Sequence, residues 1–390
     1  MSKTRRKIFG EEHELFRDSV ITYIDKEIRP YHEAWEEAGV ISRECWERAG
    51  RQGLLCCDVP AEYGGPGADF LYNTVVIEEL SRAGFSGPGT GFAVHGDMAS
   101  TYITKFGSEP QRLRYLPGMC AGTSIAALAM TEPGAGSDLQ GIQTRAVRDG
   151  DEYVISGQKT FISNGQLANV VVLACKTDPS QGARGISLII VDQLEGEDRA
   201  GFRRGRNLKK IGMKAQDTSE LFFDDVRVPT ANLLGGEGEG FRMLMTQLAR
   251  ERLVQAIRAC AQTEAAIEWT VDYTRERKAF GRTIADFQNT RFELAHVAAK
   301  VAAGRALVDQ QIEAYMNGEL DAVAAAKAKL FLTELHCETL DRCLQLHGGY
   351  GYMWEYPIAR AYADTRVSKI AGGSVEVMKE IISRDLFAPR

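Results

Sequence analysis

Apolar positions follow two different periods along the chain, and the change of period divides it into three segments. Between Phe9 and Ile28 apolar side chains recur at near-helical spacing, and helical patterns continue for about a hundred residues beyond. Short runs rich in β-branched and aromatic residues follow, separated by Gly, Asn, Asp and Pro, before the pattern becomes helical again. The sequence therefore predicts an α+β protein with an N-terminal helical domain (1–126), a middle β domain (127–237) and a C-terminal helical bundle domain (238–390).

The β and C-terminal regions allow more detailed predictions. Runs such as Val170–Cys175 and Gly185–Val191 are short and rich in β-branched residues, which favours a small sandwich or barrel. The stretches 241–276, 287–316 and 320–346 contain few helix breakers. Their length and apolar content predict antiparallel helices in a bundle.

Two similar segments, Trp35–Gly39 and Trp46–Gly50, each carry a glycine at the end of a helical pattern. Glycine is favoured just after the last helical residue because it adopts the left-handed backbone conformation without steric cost. Both glycines are therefore predicted to follow the end of a helix.

The composition is that of an ordinary globular protein and argues against several other classes. The 390 residues are too many for one compact core, and the net charge of −6 argues against nucleic-acid binding. No apolar run is long enough for a membrane span, and the basic N-terminus lacks the apolar region of a signal peptide. The eight cysteines and six histidines show no metal-ligand spacing, so no metal site is predicted. We therefore expect a cytoplasmic protein with reduced thiols.

A cluster of basic residues between Arg203 and Lys210 has two interpretations. It can be a solvated loop, or it can contact a phosphate-bearing ligand. The sequence alone leaves both open.

Two blocks in the β region combine glycines with hydroxyl groups. The first reads Met130-Thr-Glu-Pro-Gly-Ala-Gly-Ser-Asp138, and its glycines and proline let the backbone pass close to a flat or anionic ligand. A tight surface loop is the simpler interpretation of its Gly-Ala-Gly part taken alone. The second block reads Lys159-Thr-Phe-Ile-Ser-Asn-Gly165.

Three further blocks lie in the C-terminal helical region. They are Arg277-Lys-Ala-Phe-Gly followed by Gln288, then Gln345-Leu-His-Gly-Gly-Tyr-Gly-Tyr, and finally Ile370-Ala-Gly-Gly-Ser374. With the two blocks of the β region, they make the chain from about residue 9 to residue 386 resemble the acyl-CoA dehydrogenase family, and within it the long-chain subgroup. The resemblance implies FAD as the cofactor and an acyl-CoA as the substrate.

The resemblance also implies which residues contact each ligand. Arg277 and Gln288 would reach the FAD of a neighbouring subunit, so a homotetramer is expected. On the substrate side stand Ser137, Arg252, Gly372 and Gly373. The residues expected to contact the cofactor are Met130, Thr131, Gly136, Ser137, Phe161, Ile162, Ser163, Arg277, Phe280, Gln288, Gln345, Gly348, Gly349, Ser374 and Glu376.

The catalytic base is where this chain departs from many members of the resembled family, which carry a glutamate in the C-terminal turn. The matching position is Gly372, which has no side chain to take a proton. Long-chain and isovaleryl-type members place the glutamate on an earlier helix, and Glu251 falls at that position. At 100° per residue Glu251 shares an apolar stripe with Leu244 and Leu248, where burial should raise its pKa towards neutrality. From spacing alone, a structural ion pair with Arg258 is the alternative.

The resemblance implies α,β-dehydrogenation of a medium- or long-chain acyl-CoA to a trans-2-enoyl-CoA, as in fatty-acid β-oxidation. Glu251 would remove the α-proton while the β-hydrogen leaves as hydride to the flavin. A backbone N–H of the Gly372 turn and a ribityl hydroxyl of FAD would hold the thioester oxygen. Electrons would then pass to an electron-transfer flavoprotein.

Two alternative functions remain open at this stage. An acyl-CoA oxidase-like enzyme would pass its electrons to oxygen, although many oxidases carry an additional C-terminal helical domain. A non-catalytic acyl-CoA or flavin-binding protein would explain the absence of a glutamate from the C-terminal turn, but it would leave Glu251 without a purpose.

Overall fold

The N-terminal region is helical in the computed structural model, which describes residues 6–194 and 199–388. Short π-helical turns extend the first helix and join the fifth helix to the sixth. The α-helices are α1 (Glu11–Tyr23), α2 (His32–Ala38), α3 (Arg43–Arg51), α4 (Phe70–Arg82), α5 (Ser86–Ala93), α6 (Ser100–Phe106) and α7 (Glu109–Cys120).

The middle region forms one eight-stranded sheet. Its strands are β1 (Ala126–Ala129), β2 (Arg145–Asp149), β3 (Glu152–Ser163), β4 (Val170–Lys176), β5 (Ile186–Val191), β6 (Phe202–Asn207), β7 (Thr218–Pro229) and β8 (Leu233–Leu234). The order is β6-β7-β3-β2-β4-β5-β8, with β1 added parallel to β4. Alternate residues of the central strands enter two different cores, because successive side chains of a strand lie on opposite faces.

The C-terminal region returns to helices, so the α+β class predicted from the sequence is confirmed. Its elements are α8 (Gly240–Glu276), the short strands β9 (Lys278–Ala279) and β10 (Arg282–Thr283), and the helices α9 (Gln288–Met316), α10 (Ala322–His347), α11 (Pro357–Thr365) and α12 (Val375–Leu386). Among the described residues, no helix combines the length and apolar character needed to cross a membrane.

The prediction that a glycine follows the end of a helix is confirmed for Gly39 and wrong for Gly50. Gly39 follows α2 with a φ of 74°, as predicted. Gly50, in contrast, lies inside α3. Its role is close approach, because a Cβ at Gly50 would lie 2.2 Å from the carbonyl carbon of Ala121, just after α7.

The longest helix, α8, is the element that joins the regions. It packs against α4 of the N-terminal region and against α9 and α10 of the C-terminal region. Its buried residues Met243, Leu253 and Ile257 belong to a core that also contains residues of α4 and of the sheet. Side chains on α8 can therefore face elements that are distant in sequence.

A buried carboxylate on α4, Glu78, ties the N-terminus to the C-terminal helices. It accepts hydrogen bonds from Arg6 at 2.6 Å and Arg305 at 2.7 Å, and Arg17 lies 3.4 Å away. Burial alone would raise the pKa of Glu78, but the charges of these three arginines lower it to about 2.

Replacing Glu78 by Gln should lower the free energy of unfolding at pH 7 by about 3–5 kcal/mol, because three half-buried arginines lose the buried anion that they share. The pKa of Glu78 is lower in the folded chain, so its contribution is present above about pH 4.3 and is lost as the pH falls towards 2. Urea unfolding across this range measures it. The control Glu334→Gln removes a partly exposed partner of Lys379 and should cost less than about 1 kcal/mol. Equal losses in the two variants would contradict the assignment.

Candidate active site

Glu251 lies inside the protein, where Tyr102 is its hydrogen-bond partner among the described residues. Its side chain is on α8, and the residue is 3% exposed. The Tyr102 hydroxyl on α6 donates a hydrogen bond of 2.9 Å to its Oε1. Burial raises the pKa of Glu251 to about 7, against the opposing effects of the Tyr102 bond and of neighbouring arginines. A carboxylate with this pKa can accept and release a proton near neutral pH.

The arginines around Glu251 do not form a salt bridge with it. Arg250 pairs with Asp97 at 2.9 Å and with Asp58, so its charge is already balanced. Arg258, the partner that spacing suggested, donates instead to Thr90 Oγ1 at 2.6 Å. The alternative of a Glu251–Arg258 ion pair is therefore wrong. The helix turns Arg258 towards α5, where a hydroxyl and a backbone carbonyl receive it.

The backbone turn at Gly372 packs against α8 at Gln255, which is one helical turn from Glu251. A Cβ at Gly372 would be 3.6 Å from Gln255 Cγ, and Gln255 follows Glu251 by four residues on the same face of α8. Gly372 and Gly373 have φ values of 67° and 92°, which L-residues with side chains rarely adopt. Their N–H groups find no acceptor among the described residues. The turn can therefore offer free donors beside the carboxylate.

Arg252 supplies an incompletely paired cation to the same region. The residue is buried, and its Nε has no hydrogen-bond partner among the described residues. Burial lowers the pKa of Arg252, while the charge of Glu251 acts in the opposite direction. The structure thus brings together Glu251, the predicted base, and Arg252, Gly372 and Gly373, which were predicted on the substrate side.

The block that begins at Met130 is held by a buried ion pair. Lys159 on β3 donates to the Met130 carbonyl oxygen at 2.8 Å and to Glu132 Oε1 at 2.8 Å. Glu132 in turn accepts the N–H groups of Gln143 and Thr144 at 2.6 and 3.0 Å. These bonds fix both ends of the loop and leave its tip free.

The tip of this loop is open to ligands. Gly136 and Ser137 are exposed, and a Cβ at Gly136 would meet no atom within 4 Å. Met130 and Thr131 are half-buried, and Thr131 accepts the Thr160 N–H at 2.9 Å through its carbonyl oxygen. An open groove of the sheet borders the loop, and its lining includes Pro133, Gly134, Gln158, Arg203, Phe222 and Phe223.

The second block lies where β3 is irregular. The pairing of β3 with β7 shifts register between Lys159 and Ile162, and Phe161 at this bulge has a φ of 59°. Phe161 is consequently 68% exposed, a large aromatic surface without cover. Ser163 is half-buried, but the Ile162 side chain packs in the core of the sheet, so only the Ile162 backbone remains for a ligand.

The cofactor residues predicted in the C-terminal region form a separate group at neighbouring ends of α8 and α10. The Arg277 guanidinium lies 5.2 Å from the centroid of the Tyr350 ring, and Phe280 is 94% exposed. No hydrogen bond or ring contact joins this group to the Met130 block among the described residues. The exposed members of the group are Arg277, Phe280, Gln288, Gln345, Gly348 and Gly349.

Ser374 and Glu376 lie just beyond the Gly372 turn. Ser374 caps α12 by accepting the Val377 N–H at 3.5 Å. Glu376 is exposed on the first turn of that helix. Their backbone and side chains border the turn, which is compatible with the predicted cofactor contact.

The basic cluster has mainly intramolecular contacts. Arg204 donates to backbone carbonyls that include that of Ala168 at 2.8 Å, and Lys210 donates to the Gln216 carbonyl. Arg203 stacks 4.1 Å above the Phe222 ring, and Arg206 pairs with Glu220 at 3.5 Å. These contacts favour the loop interpretation for most of its members, although Arg203 lines the groove of the sheet.

Sequence reasoning missed Tyr102 and the Lys159–Glu132 pair. Tyr102 is separated from Glu251 by 149 positions, and no periodicity links them. Lys159 offered a weak signal, because it is a charged residue within a strand rich in β-branched and aromatic residues. Its burial against Glu132 could be expected only once both blocks were known to adjoin.

All three regions of the chain match domains of one known protein family. Residues 10–123, 127–226 and 238–387 match the N-terminal, middle and C-terminal domains of acyl-CoA dehydrogenases. The long-chain specific acyl-CoA dehydrogenase of Rattus norvegicus mitochondria is 45% identical over 385 residues, which cover 98% of this chain and 88% of the relative. This chain belongs to the acyl-CoA dehydrogenase family and is an enzyme of that family, as its motifs predicted.

Two solved structures share the whole fold. An acyl-CoA dehydrogenase from Geobacillus kaustophilus is 46% identical and superposes with a TM-score of 0.94, covering 98% of this chain and 99% of its own. An acyl-CoA dehydrogenase of Bacillus anthracis, solved in complex with FAD, is 31% identical with a TM-score of 0.90, covering 97% of this chain and 67% of its own. The predicted three-part fold is therefore confirmed.

Replacing Lys159 by Met should loosen the Met130 block, because the Glu132 carboxylate stays buried without its partner. We expect the free energy of unfolding to fall by about 3–5 kcal/mol. The double variant Lys159→Met with Glu132→Gln removes both charges and should lose less. Denaturant unfolding of the two variants measures the difference. If the double variant is no more stable than the single one, the buried pair does not hold the loop.

Replacing Tyr102 by Phe should raise the pKa of Glu251 further, because the hydrogen bond that favours the carboxylate is lost. In a reaction that uses Glu251 as its base the carboxylate must be unprotonated, so the acid limb of the pH–rate profile should move to higher pH by about one to two units. Tyr115→Phe is a matched control, because the Tyr115 hydroxyl also donates to a buried carboxylate, that of Asp192, at 2.9 Å. That hydrogen bond does not involve the residues of this site. A profile that moves in neither variant would contradict the role of Tyr102.

Proposed function

We propose that this chain oxidises medium- or long-chain acyl-CoA thioesters to trans-2-enoyl-CoA in an FAD-dependent reaction, with Glu251 as the catalytic base. The observation that carries the proposal is a buried carboxylate that forms no salt bridge among the described residues. It lies one helical turn from Gln255, which borders the Gly372 turn, whose backbone N–H groups lack acceptors among those residues. This pairs a proton acceptor with donors for a carbonyl oxygen. The relatives with long-chain activity in their names support the chain-length preference.

Glu251 removes the α-proton of the thioester. Its pKa of about 7 is raised mainly by burial, so the carboxylate is a stronger base than an exposed glutamate while still unprotonated in useful amounts at neutral pH. Tyr102 orients one carboxylate oxygen and leaves the other to face the substrate. Solvent exclusion around Glu251 also strengthens the electrostatic interactions of the site.

The Gly372 turn stabilises the charge that appears on the thioester oxygen when the α-proton leaves. Backbone N–H donors directed at a developing oxyanion typically contribute a factor of about 10²–10³ in rate. A glycine at 372 keeps these donors while removing the carboxylate that many relatives have there. Moving the base to α8 therefore leaves the oxygen-binding function of the turn intact.

The residues of the Met130 and Lys159 blocks fit a flavin. They provide an exposed aromatic at a bulge, open glycines beside a groove and a loop braced at both ends. We assign Thr131, Phe161 and Ser163 to the flavin ring and Gly136 and Ser137 to the adjoining part of FAD. Bound FAD would supply the acceptor for the β-hydrogen, which leaves as hydride.

We further propose a homotetramer that uses an electron-transfer flavoprotein as acceptor. Among the described residues, no hydrogen bond or ring contact joins the exposed group around Arg277 to the Met130 block, and FAD shared across a subunit boundary would connect the two. The cytoplasm stays our predicted location, while several relatives are mitochondrial.

Replacing Glu251 by Gln should slow flavin reduction by a saturating acyl-CoA by about 10²- to 10⁴-fold, because the amide cannot take a proton. Stopped-flow bleaching of the flavin across acyl-CoAs of different length measures both the loss and the preferred chain. FAD content should not fall. The same substitution at Glu264, a partly buried α8 residue that pairs with Arg305, is the matched control and should leave the rate unchanged.

The same experiment separates the alternative functions. A non-catalytic binding protein would show no bleaching even in the unmodified chain. An oxidase would recolour rapidly in air without an added acceptor. Near-normal bleaching by Glu251→Gln would contradict the assignment of the base.

A further inference from the structure

A second buried lysine, Lys329 on α10, contacts the Gly372 turn. The residue is fully buried. Its Nζ donates to the Gly373 carbonyl oxygen at 2.5 Å and to the Ser368 carbonyl oxygen at 3.2 Å. The position of a Cβ on Gly372 would be 3.6 Å from Lys329 Cε. One ammonium group therefore bridges the two ends of the segment from residue 368 to residue 373.

This lysine has no carboxylate partner among the described residues. Its ammonium donates to two backbone carbonyls, and the charge that acts on it is the cation of Arg252. Burial lowers the pKa of Lys329 to about 8, and repulsion by Arg252 acts in the same direction. A buried cation that lacks an anion costs free energy, so its presence calls for a compensating role.

The proposed reaction supplies a negative charge at this place. When Glu251 takes the α-proton its own charge disappears, and an equal charge develops on the thioester oxygen. The oxygen meets the Gly372 turn, and the Lys329 ammonium is hydrogen-bonded to the same turn. The charge thus moves away from Glu251 and towards the ammonium group.

Resting on the function proposed above, we propose that Lys329 is a positioning residue for acyl-CoA oxidation. Its ammonium holds the backbone from Ser368 to Gly373 so that the N–H groups of Gly372 and Gly373 meet the thioester oxygen, and its charge favours the enolate. Lys329 touches neither substrate nor cofactor in this role. It acts through the turn.

The test uses the FAD-loaded enzyme and acetoacetyl-CoA, a 3-oxoacyl-CoA whose α-proton is acidic enough to be lost on binding. The fraction of bound enolate is read from its ultraviolet absorbance and from the change in the flavin spectrum. Lys329→Met keeps the length of the side chain but removes the charge and both donors. We expect the enolate-to-keto ratio to fall about tenfold. Flavin reduction by a substrate should slow about 10²-fold with little change in the half-saturating concentration.

Two further variants and one control sharpen the result. Lys329→Arg keeps the cation and should retain more enolate than Lys329→Gln, which keeps only an amide donor, and both provide the comparison if the Met variant folds poorly. The control Lys105→Met removes another partly buried ammonium near α8, where it bonds Gln247 at 2.9 Å, and should leave the enolate ratio unchanged. An unchanged ratio in Lys329→Met, or an equal fall in Lys105→Met, would overturn the proposal.

Amide hydrogen exchange of residues 370–374 tests Lys329 without any substrate. We expect faster exchange in Lys329→Met than in the unmodified enzyme, because the turn loses its support from below. Unchanged exchange would show that the turn keeps its geometry without the ammonium. If the unmodified enzyme neither forms enolate nor reduces its flavin, the proposed function fails, while the exchange result still decides whether Lys329 orders the turn.

Discussion

Burial of the Glu251 carboxylate without a bonded cation is the constraint on which the site depends. An unpaired carboxylate in an apolar core is costly, and here one tyrosine hydroxyl is its hydrogen-bond partner among the described residues. This cost raises the pKa of Glu251 to about 7, and a general base needs a pKa in this range. Ion pairs elsewhere, such as the arginine cluster around Glu78, keep the surrounding helices in place.

Three consecutive charged residues of α8 show how one helix separates different tasks. Arg250, Glu251 and Arg252 are each rotated by about 100° from the next. Arg250 faces Asp97 and is neutralised, whereas Glu251 faces Tyr102 and stays unpaired. Arg252 lies towards Lys329 and the C-terminal turn. In the proposed reaction the proton acceptor and the donors for the substrate oxygen therefore come from different parts of the chain, and α8, which carries the acceptor, packs against α10.

Local patterns predicted the helices and the sheet well, but contacts between distant segments escaped them. The three long C-terminal helices, α8, α9 and α10, begin and end within two residues of the predicted stretches, because a long helical pattern of apolar residues without breakers has few alternative structures. Gly50 was misread because the approach of Ala121 decides its role. Arg258 lies about two helical turns from Glu251 along α8, and the Thr90 hydroxyl and the Ser86 carbonyl on α5 accept its hydrogen bonds instead. Nothing local marks Tyr102 or Lys329, whose partners lie far along the chain.

The most direct test of this account is a crystal structure of the FAD-loaded enzyme with a bound, slowly reacting acyl-CoA. We expect a Glu251 carboxylate oxygen about 3–3.5 Å from the α-carbon, the distance of a reactive arrangement. The thioester oxygen should lie within hydrogen-bond distance of a Gly372 or Gly373 N–H. An α-carbon that lies beyond reach of Glu251, with another side chain in contact, would contradict the central claim.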